Sequence, residues 1–121
     1  MILVDTSSWI KHFRERDVEV SAALRQERAV TCDTVLAELT LGAGIPEAVR
    51  TSLFQLPRIV EPTMGEALAF IVSERRRGRL DNGIGVADVL VLRAATNAGA
   101  HLLTADNKLG DVWRRWYAGG A

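Results

Sequence analysis

Apolar residues follow two rhythms along this chain. Short β-favouring runs stand at Ile2-Leu3-Val4, at Ala29–Cys32, at Arg58-Ile59-Val60 between Pro57 and Pro62, and at His101-Leu102-Leu103-Thr104. The first of these is apolar at every position and stops at Asp5, the pattern of a central parallel strand buried on both faces. Between the runs, apolar positions recur at helical spacing. Thr6-Ser7-Ser8 offers N-cap hydroxyls to a helix carrying Trp9, Ile10 and Phe13. A second helix is predicted from Val18 to Glu27, with Val20, Ala23 and Leu24 facing inward. Asp33 can cap a third that holds Leu36, Leu39 and Thr40 and is ended by Gly42 and Gly44. Pro46 suits the first turn of a fourth, with Val49, Leu53 and Phe54. Thr63 and Glu66, three apart, form a capping box for a fifth that runs through Ala67, Phe70 and Ile71 to an arginine run. After Asn82-Gly83-Ile84-Gly85 comes a helix apolar nearly all round, with Val86, Val89, Leu90, Leu92 and Ala94, which should pack deep before Gly99 closes it. Asn107 to Tyr117 reads as helical, with Gly119-Gly120 frayed beyond it.

Strands alternating with helices imply right-handed crossovers into a parallel sheet with helices on both faces. The expected fold is therefore α/β, three layers around a central parallel sheet of four or five strands, as a single domain over residues 1–121. With 121 residues, close to half of them apolar, the chain can bury about two thirds of its unfolded surface and needs no disulfide or structural metal to fold. Cys32 is the lone cysteine, which points to a buried thiol in a reducing compartment and hence a cytoplasmic protein. No basic leader precedes Ile2, and no apolar run approaches the ~20 residues of a membrane span. Fifteen basic and fifteen acidic residues cancel, so charge distribution, rather than net charge, must carry any hint of a polyanionic partner. Arginines bunch at Arg75-Arg76-Arg77-Gly78-Arg79 and at Arg114-Arg115, whereas acids fall singly at the ends of apolar segments.

Four acids share that placement: Asp5 after the first strand, Glu38 about one turn into a helix, Asp88 early in the apolar helix and Asp106 after the last strand. In a parallel sheet, ligands sit beyond the carboxyl ends of the strands where strand order reverses, and these acids can converge there. Carboxylates about 5 Å apart repel by roughly 3 kcal/mol per pair at an effective dielectric near 20, and burial raises their pKa values further. A divalent cation removes the conflict. Oxygen ligands without His or Cys select a hard ion, Mg2+ or Mn2+, which can activate a water and stabilise charge on a phosphate, so phosphodiester hydrolysis is the natural chemistry. Each acid also has a plainer structural reading. Asp5 could cap the first helix, Glu38 could pair with an arginine, and Asp106 could be a turn residue. Asp88, set among apolar neighbours, is hardest to explain without something bound to it.

These segments resemble the PIN domain, and within it the VapC toxins. The resemblance covers nearly the whole chain. It is carried by the strand ending in Asp5-Thr6-Ser7, by Thr34-Val35-Leu36-Ala37-Glu38-Leu39-Thr40-Leu41-Gly42, and by Ala87-Asp88-Val89-Leu90-Val91-Leu92-Arg93-Ala94-Ala95-Thr96 followed by Gly99 and Leu102-Leu103-Thr104-Ala105-Asp106. It implies a Mg2+-dependent endoribonuclease in which Asp5 and Asp88 are the principal metal ligands, Glu38 orients the metal or its water, Asp106 completes the acidic pocket, and Thr6 and Thr104 are supporting hydroxyls. It also implies a homodimer and a VapB-like antitoxin partner whose tail occupies the site and a helical groove. This chain departs from the family pattern in having Leu109, not an aromatic residue, three after the last acid, and in ending without an obvious fifth strand. Asn107 and Asp111 are therefore alternatives to Asp106.

Other features fit less closely. The arginine run and Trp113-Arg114-Arg115-Trp116-Tyr117 could hold RNA through phosphate contacts and base stacking, or could be a solvated helix end. His12 and His101 read as structural. A receiver-type signalling domain needs an aspartate after its third strand, where Val60-Glu61-Pro62 stands, and a haloacid-type phosphatase needs one at Ser7. A PIN fold that only binds a partner is the remaining rival.

Overall fold

Three strands run parallel through the middle of the molecule in the order β2-β1-β3, with β1 at Ile2–Val4, β2 at Ala29–Val30 and β3 at His101–Leu103. The computed structural model describes residues 1–42 and 44–119, so the fraying expected at Gly120 falls outside the described residues. Ile2 lies opposite both Ala29 and His101, and Leu3 lies between Val30 and Leu102. Neighbouring strand residues point to opposite faces, yet Leu3 and Val4 are both 0% exposed. Both faces of β1 are therefore covered, as the uninterrupted apolar run requires.

The cover is helical. Helices α1 (Thr6–Glu15) and α2 (Val18–Arg25) connect β1 to β2. Four more connect β2 to β3: α3 (Asp33–Leu41), α4 (Glu47–Phe54), α5 (Met64–Arg76) and α6 (Val86–Ala98). After β3 come α7 (Asn107–Val112) and a single π-helical turn, Trp113–Tyr117, in which the Ala118 N–H donates to the Trp113 carbonyl at 2.8 Å. Local signals hold where they are self-contained. Thr63 and Glu66 make both bonds of the capping box, at 3.1 and 2.8 Å. Gly99 closes α6 in the left-handed region at φ 65°. Helix α6 buries Val89, Val91, Leu92, Ala94 and Ala95, while Val86 at its start stays half exposed.

The expectation of four or five strands is corrected to three among the described residues. Arg58-Ile59-Val60 makes only an isolated parallel bridge, Thr31 to Arg58, in which the Thr31 N–H donates to the Pro57 carbonyl and the Ile59 N–H to the Thr31 carbonyl, each at 2.9 Å. Pro57 has no N–H to extend the ladder, and Glu61 is drawn away to the start of α3. Among the described residues no strand follows α7, because the chain enters the π-helical turn instead. Two caps also differ from expectation. Thr6 is the first residue of α1 and Asp5 stands at the N-cap position. Asp33 is the first residue of α3, not its cap, and pairs with Arg58 at 3.2 Å. Among the described residues, no helix is long and apolar enough to cross a membrane.

Replacing Leu92, which is wholly buried, by alanine should cost about 2–5 kcal/mol. Gly99→Ala should cost about 1 kcal/mol, because alanine resists the left-handed backbone. Urea unfolding of the two variants checks both values; equal and negligible losses would contradict this packing.

Candidate active site

The ladder between β1 and β3 continues one residue past the strands, where the Asp5 N–H donates to the Leu103 carbonyl at 2.9 Å. That register sets Asp5 beside Thr104. The Asp5 carboxylate is 5% exposed and accepts two hydroxyl bonds at Oδ2, from Thr104 at 2.8 Å and from Ser7 at 3.0 Å. Each hydroxyl is itself pinned by the backbone: Thr104 Oγ1 accepts the Asp106 N–H at 3.1 Å, and Ser7 Oγ accepts the Ala105 N–H at 3.0 Å. Although Asp5 occupies the N-cap position of α1, its side chain makes no capping bond. The helix-cap reading of Asp5 is thus set aside by geometry. Its carboxylate is turned to the β3 end.

Glu38, in the second turn of α3, is exposed and accepts the Thr6 hydroxyl at Oε1 over 2.6 Å. Among the described residues it has no arginine partner. Asp88, third in α6 and half-buried, accepts only the Gly85 N–H, at 3.3 Å. Burial holds the Asp88 carboxyl above its ordinary range, and the negative charges of Asp5, Asp106 and Glu38 add to the rise, while the Gly85 bond opposes it. Three acids, each from a different segment, therefore act on the Asp88 carboxyl. Asp106 is the N-cap of α7, accepts the Leu109 N–H at 3.0 Å and is exposed. It combines the cap role with a place among the acids. Of its alternatives, Asn107 is the first residue of α7, and Asp111 is spent on Arg114 at 2.8 Å. Leu109, at the position where the family favours an aromatic residue, is wholly buried and plugs the core.

Two supporting residues were not singled out by sequence. Ser7 reads as one of three cap hydroxyls, and only its meeting with Thr104, ninety-seven positions away, makes it a clamp on Asp5. Glu61 fixes the start of α3, the helix that carries Glu38, by accepting the Thr34 N–H at 2.6 Å and the Thr34 hydroxyl at 2.8 Å. The histidines lie in other settings: His12 Nδ1 accepts the Asp17 N–H at 3.0 Å, and His101 packs edge-on to Trp113. Cys32 is buried, and burial pushes its thiol pKa up, away from reactivity.

The donors around Asp88 are carboxylates and hydroxyls, a set suited to a hard cation. Among the described residues, no three His, Cys, Asp or Glu side chains are gathered tightly enough to hold a metal ion by themselves. Loosely spaced carboxylates fit an ion that keeps several of its waters, as Mg2+ does when one or two carboxylates bind it. The raised Asp88 carboxyl is the group such an ion would relieve.

A parallel α/β sheet with acids at its strand ends is the architecture of the PIN domain, and the PIN-domain family model matches residues 2–114. The chain is also 34% identical over 114 residues to "Ribonuclease VapC32" of Mycobacterium tuberculosis, recorded for strains CDC 1551 / Oshkosh and ATCC 25618 / H37Rv, covering 90% of this chain and 87% of each relative. It belongs to the VapC branch of the PIN-domain family.

Two outcomes test this geometry. Thr104→Val keeps the shape of the side chain but removes a hydroxyl bond from buried Asp5, so urea unfolding should show a loss of about 1–3 kcal/mol. If Asp5→Asn and Thr104→Val instead add independently, the clamp is not coupled. The second outcome concerns pH. A carboxyl raised in the folded state binds its proton more tightly there, so its contribution to stability is full below the unfolded value of about 4 and is lost as pH rises through the folded value. In chelator, the wild type should lose melting temperature relative to Asp88→Asn as pH rises across the mildly acidic range. Parallel pH profiles would show that Asp88 is not under strain.

Proposed function

We propose that the chain is a Mg2+-dependent endoribonuclease, the toxin of a type II toxin–antitoxin system, which hydrolyses RNA phosphodiesters with water as nucleophile. The observation that carries this reading is buried Asp5, held by Thr104 and Ser7 at the carboxyl end of the sheet, with its charge reaching half-buried Asp88, and the ribonuclease name of the VapC32 relative supports it. Asp5 and Asp88 would hold the ion, with Glu38 and Asp106 completing the acidic pocket; Mn2+ has the same ligand preference. When bound, such an ion lowers the pKa of a water and stabilises charge on the phosphate.

The protein's part is positioning. Thr104 and Ser7 hold Asp5 Oδ2, and in this scheme Oδ1 would be the oxygen offered to the ion. Thr6 fixes Glu38 Oε1, which leaves Oε2 to orient the attacking water. No side chain becomes covalently attached to the substrate in this scheme. Glu38 and Asp106 are exposed, so a polymer can approach them.

The partners follow from the same family reading: a VapB-like antitoxin, a second copy of the chain and a cytoplasmic setting. A groove of about 290 Å³ lined by Ile10, Phe13, Leu39 and Ile45 adjoins Glu38, an apolar seat beside the acids for an antitoxin helix. Met64, Leu68 and Val72 leave an apolar stripe exposed along α5, which suits a homodimer contact.

Asp5→Asn and Asp88→Asn should each retain the wild-type circular dichroism spectrum and lose at least a hundredfold of Mg2+-dependent RNA cleavage, a loss typical of removing a principal electrostatic group. Cleavage that persists in both variants with excess chelator would overturn the proposal. Wild-type protein that binds the antitoxin but never cleaves would favour the binding-module rival.

A further inference from the structure

The arginine run and the terminal tryptophans are not used by the acidic site, yet the fold brings them together. Trp113, Trp116, Tyr117 and His101 line an open cavity of about 360 Å³. Ala100 precedes β3 and His101 opens it, so this cavity lies at the amino-terminal edge of the parallel sheet, whereas Asp5 and Asp106 follow its carboxyl-terminal edge. Tyr117 also lines a second cavity, of about 660 Å³, where Arg77, Arg79 and Arg93 gather. The two cavities adjoin through one residue.

Their chemistry is complementary. Trp116 is 43% exposed, and the Arg79 guanidinium stands 5.8 Å from its ring centre. Trp113 is 6% exposed, and its indole N–H has no hydrogen-bond partner among the described residues. A buried donor left without an acceptor is uncommon and costs free energy unless something answers it. In the second cavity, Glu74 is buried and satisfied by Arg77, Arg79 and the Tyr117 hydroxyl. Arg93 makes no ion pair among the described residues and is held over the Phe70 ring at 4.7 Å. The Glu66 carboxylate lines the same cavity and feels the Arg93 charge without forming an ion pair with it, so Arg93 is positioned mainly by the Phe70 ring.

We infer that these two cavities form an accessory site for single-stranded RNA, outside the acidic cleft, in which a base stacks on Trp116 and the backbone phosphates lie against Arg93 and Arg77. Stacking platforms next to arginines are the usual means of holding unpaired strands without reading sequence. Arg93 is five residues beyond Asp88 in α6 and Thr96, which lines the aromatic cavity, eight beyond, or roughly 8 and 12 Å along the helix axis. One RNA strand of a few nucleotides can therefore reach both places. The inference rests on RNA being the substrate, as proposed above, and adds where its flanking part is held.

The test is fluorescence anisotropy with a labelled single-stranded RNA, in chelator so that no cleavage occurs. Wild type, Trp116→Ala, Trp116→Phe and Arg93→Gln are compared across a salt series. Trp116→Ala should weaken binding about tenfold, the scale of one lost stacked base, and Trp116→Phe should restore most of it. Arg93→Gln should weaken binding and flatten the salt dependence by the equivalent of about one phosphate contact. With Mg2+ and saturating RNA, all three should keep the wild-type maximal rate. Folded variants with wild-type affinity and salt dependence would overturn the inference while leaving the cleavage reading intact. So would variants that lose self-association in sedimentation but bind RNA normally, since the surface would then be a protein contact. Should Trp116→Ala fail to fold, Arg93→Gln decides alone. A wild type that neither binds nor cleaves RNA would remove the underlying reading as well.

Discussion

Like charges brought within reach of one half-buried carboxyl, that of Asp88, are the constraint around which this molecule is organised. The negative charges of Asp5, Glu38 and Asp106, carried on separate segments, all bear on the Asp88 carboxyl, and nothing in their own chemistry favours that meeting. A parallel sheet supplies it, because every strand in such a sheet delivers its following residue to the same edge. The buried ladder that pairs Leu3 with Val30 and Leu102 therefore does more than fill the core. It fixes where Asp5 and Thr104 must stand.

Around that edge the polar groups are arranged in pairs, each acid with a hydroxyl or N–H that restrains one oxygen and leaves the other available. Asp5 has Thr104 and Ser7, Glu38 has Thr6, Asp88 has the Gly85 N–H, and Asp106 has the Leu109 N–H. Neutral donors of this kind orient carboxylates without cancelling their charge. An arginine in any of these places would have produced a closed ion pair. The arginines instead pair elsewhere, Arg58 with Asp33, Arg77 and Arg79 with Glu74, and Arg114 with Asp111, so none of these ion pairs involves the four acids.

Much of this was legible in the sequence, for reasons that differ by residue. Ile2-Leu3-Val4 announces a doubly buried strand, and Thr63 with Glu66 announces a helix start, because both signals are complete within a few residues. The acids were visible as isolated charges at the ends of apolar segments. What sequence could not supply depends on distant partners. Arg58-Ile59-Val60 has strand composition, but whether it becomes a strand or a single bridge is decided by Thr31 and by Pro57 beside it. Ser7 looked like a cap hydroxyl until Thr104 met it. The change from α to π geometry at Trp113 has no local breaker to mark it, and it decides which way Trp116 and Tyr117 are presented.

The most direct measurement is crystallographic: crystals soaked in Mn2+, with data collected at a wavelength where manganese scatters anomalously. One or two anomalous peaks should appear among the carboxylates of Asp5, Glu38, Asp88 and Asp106, and should vanish in Asp88→Asn crystals treated in the same way. A peak elsewhere with none between these acids, in crystals of a protein that still cleaves RNA, would contradict the view that their shared charge is what the fold exists to hold.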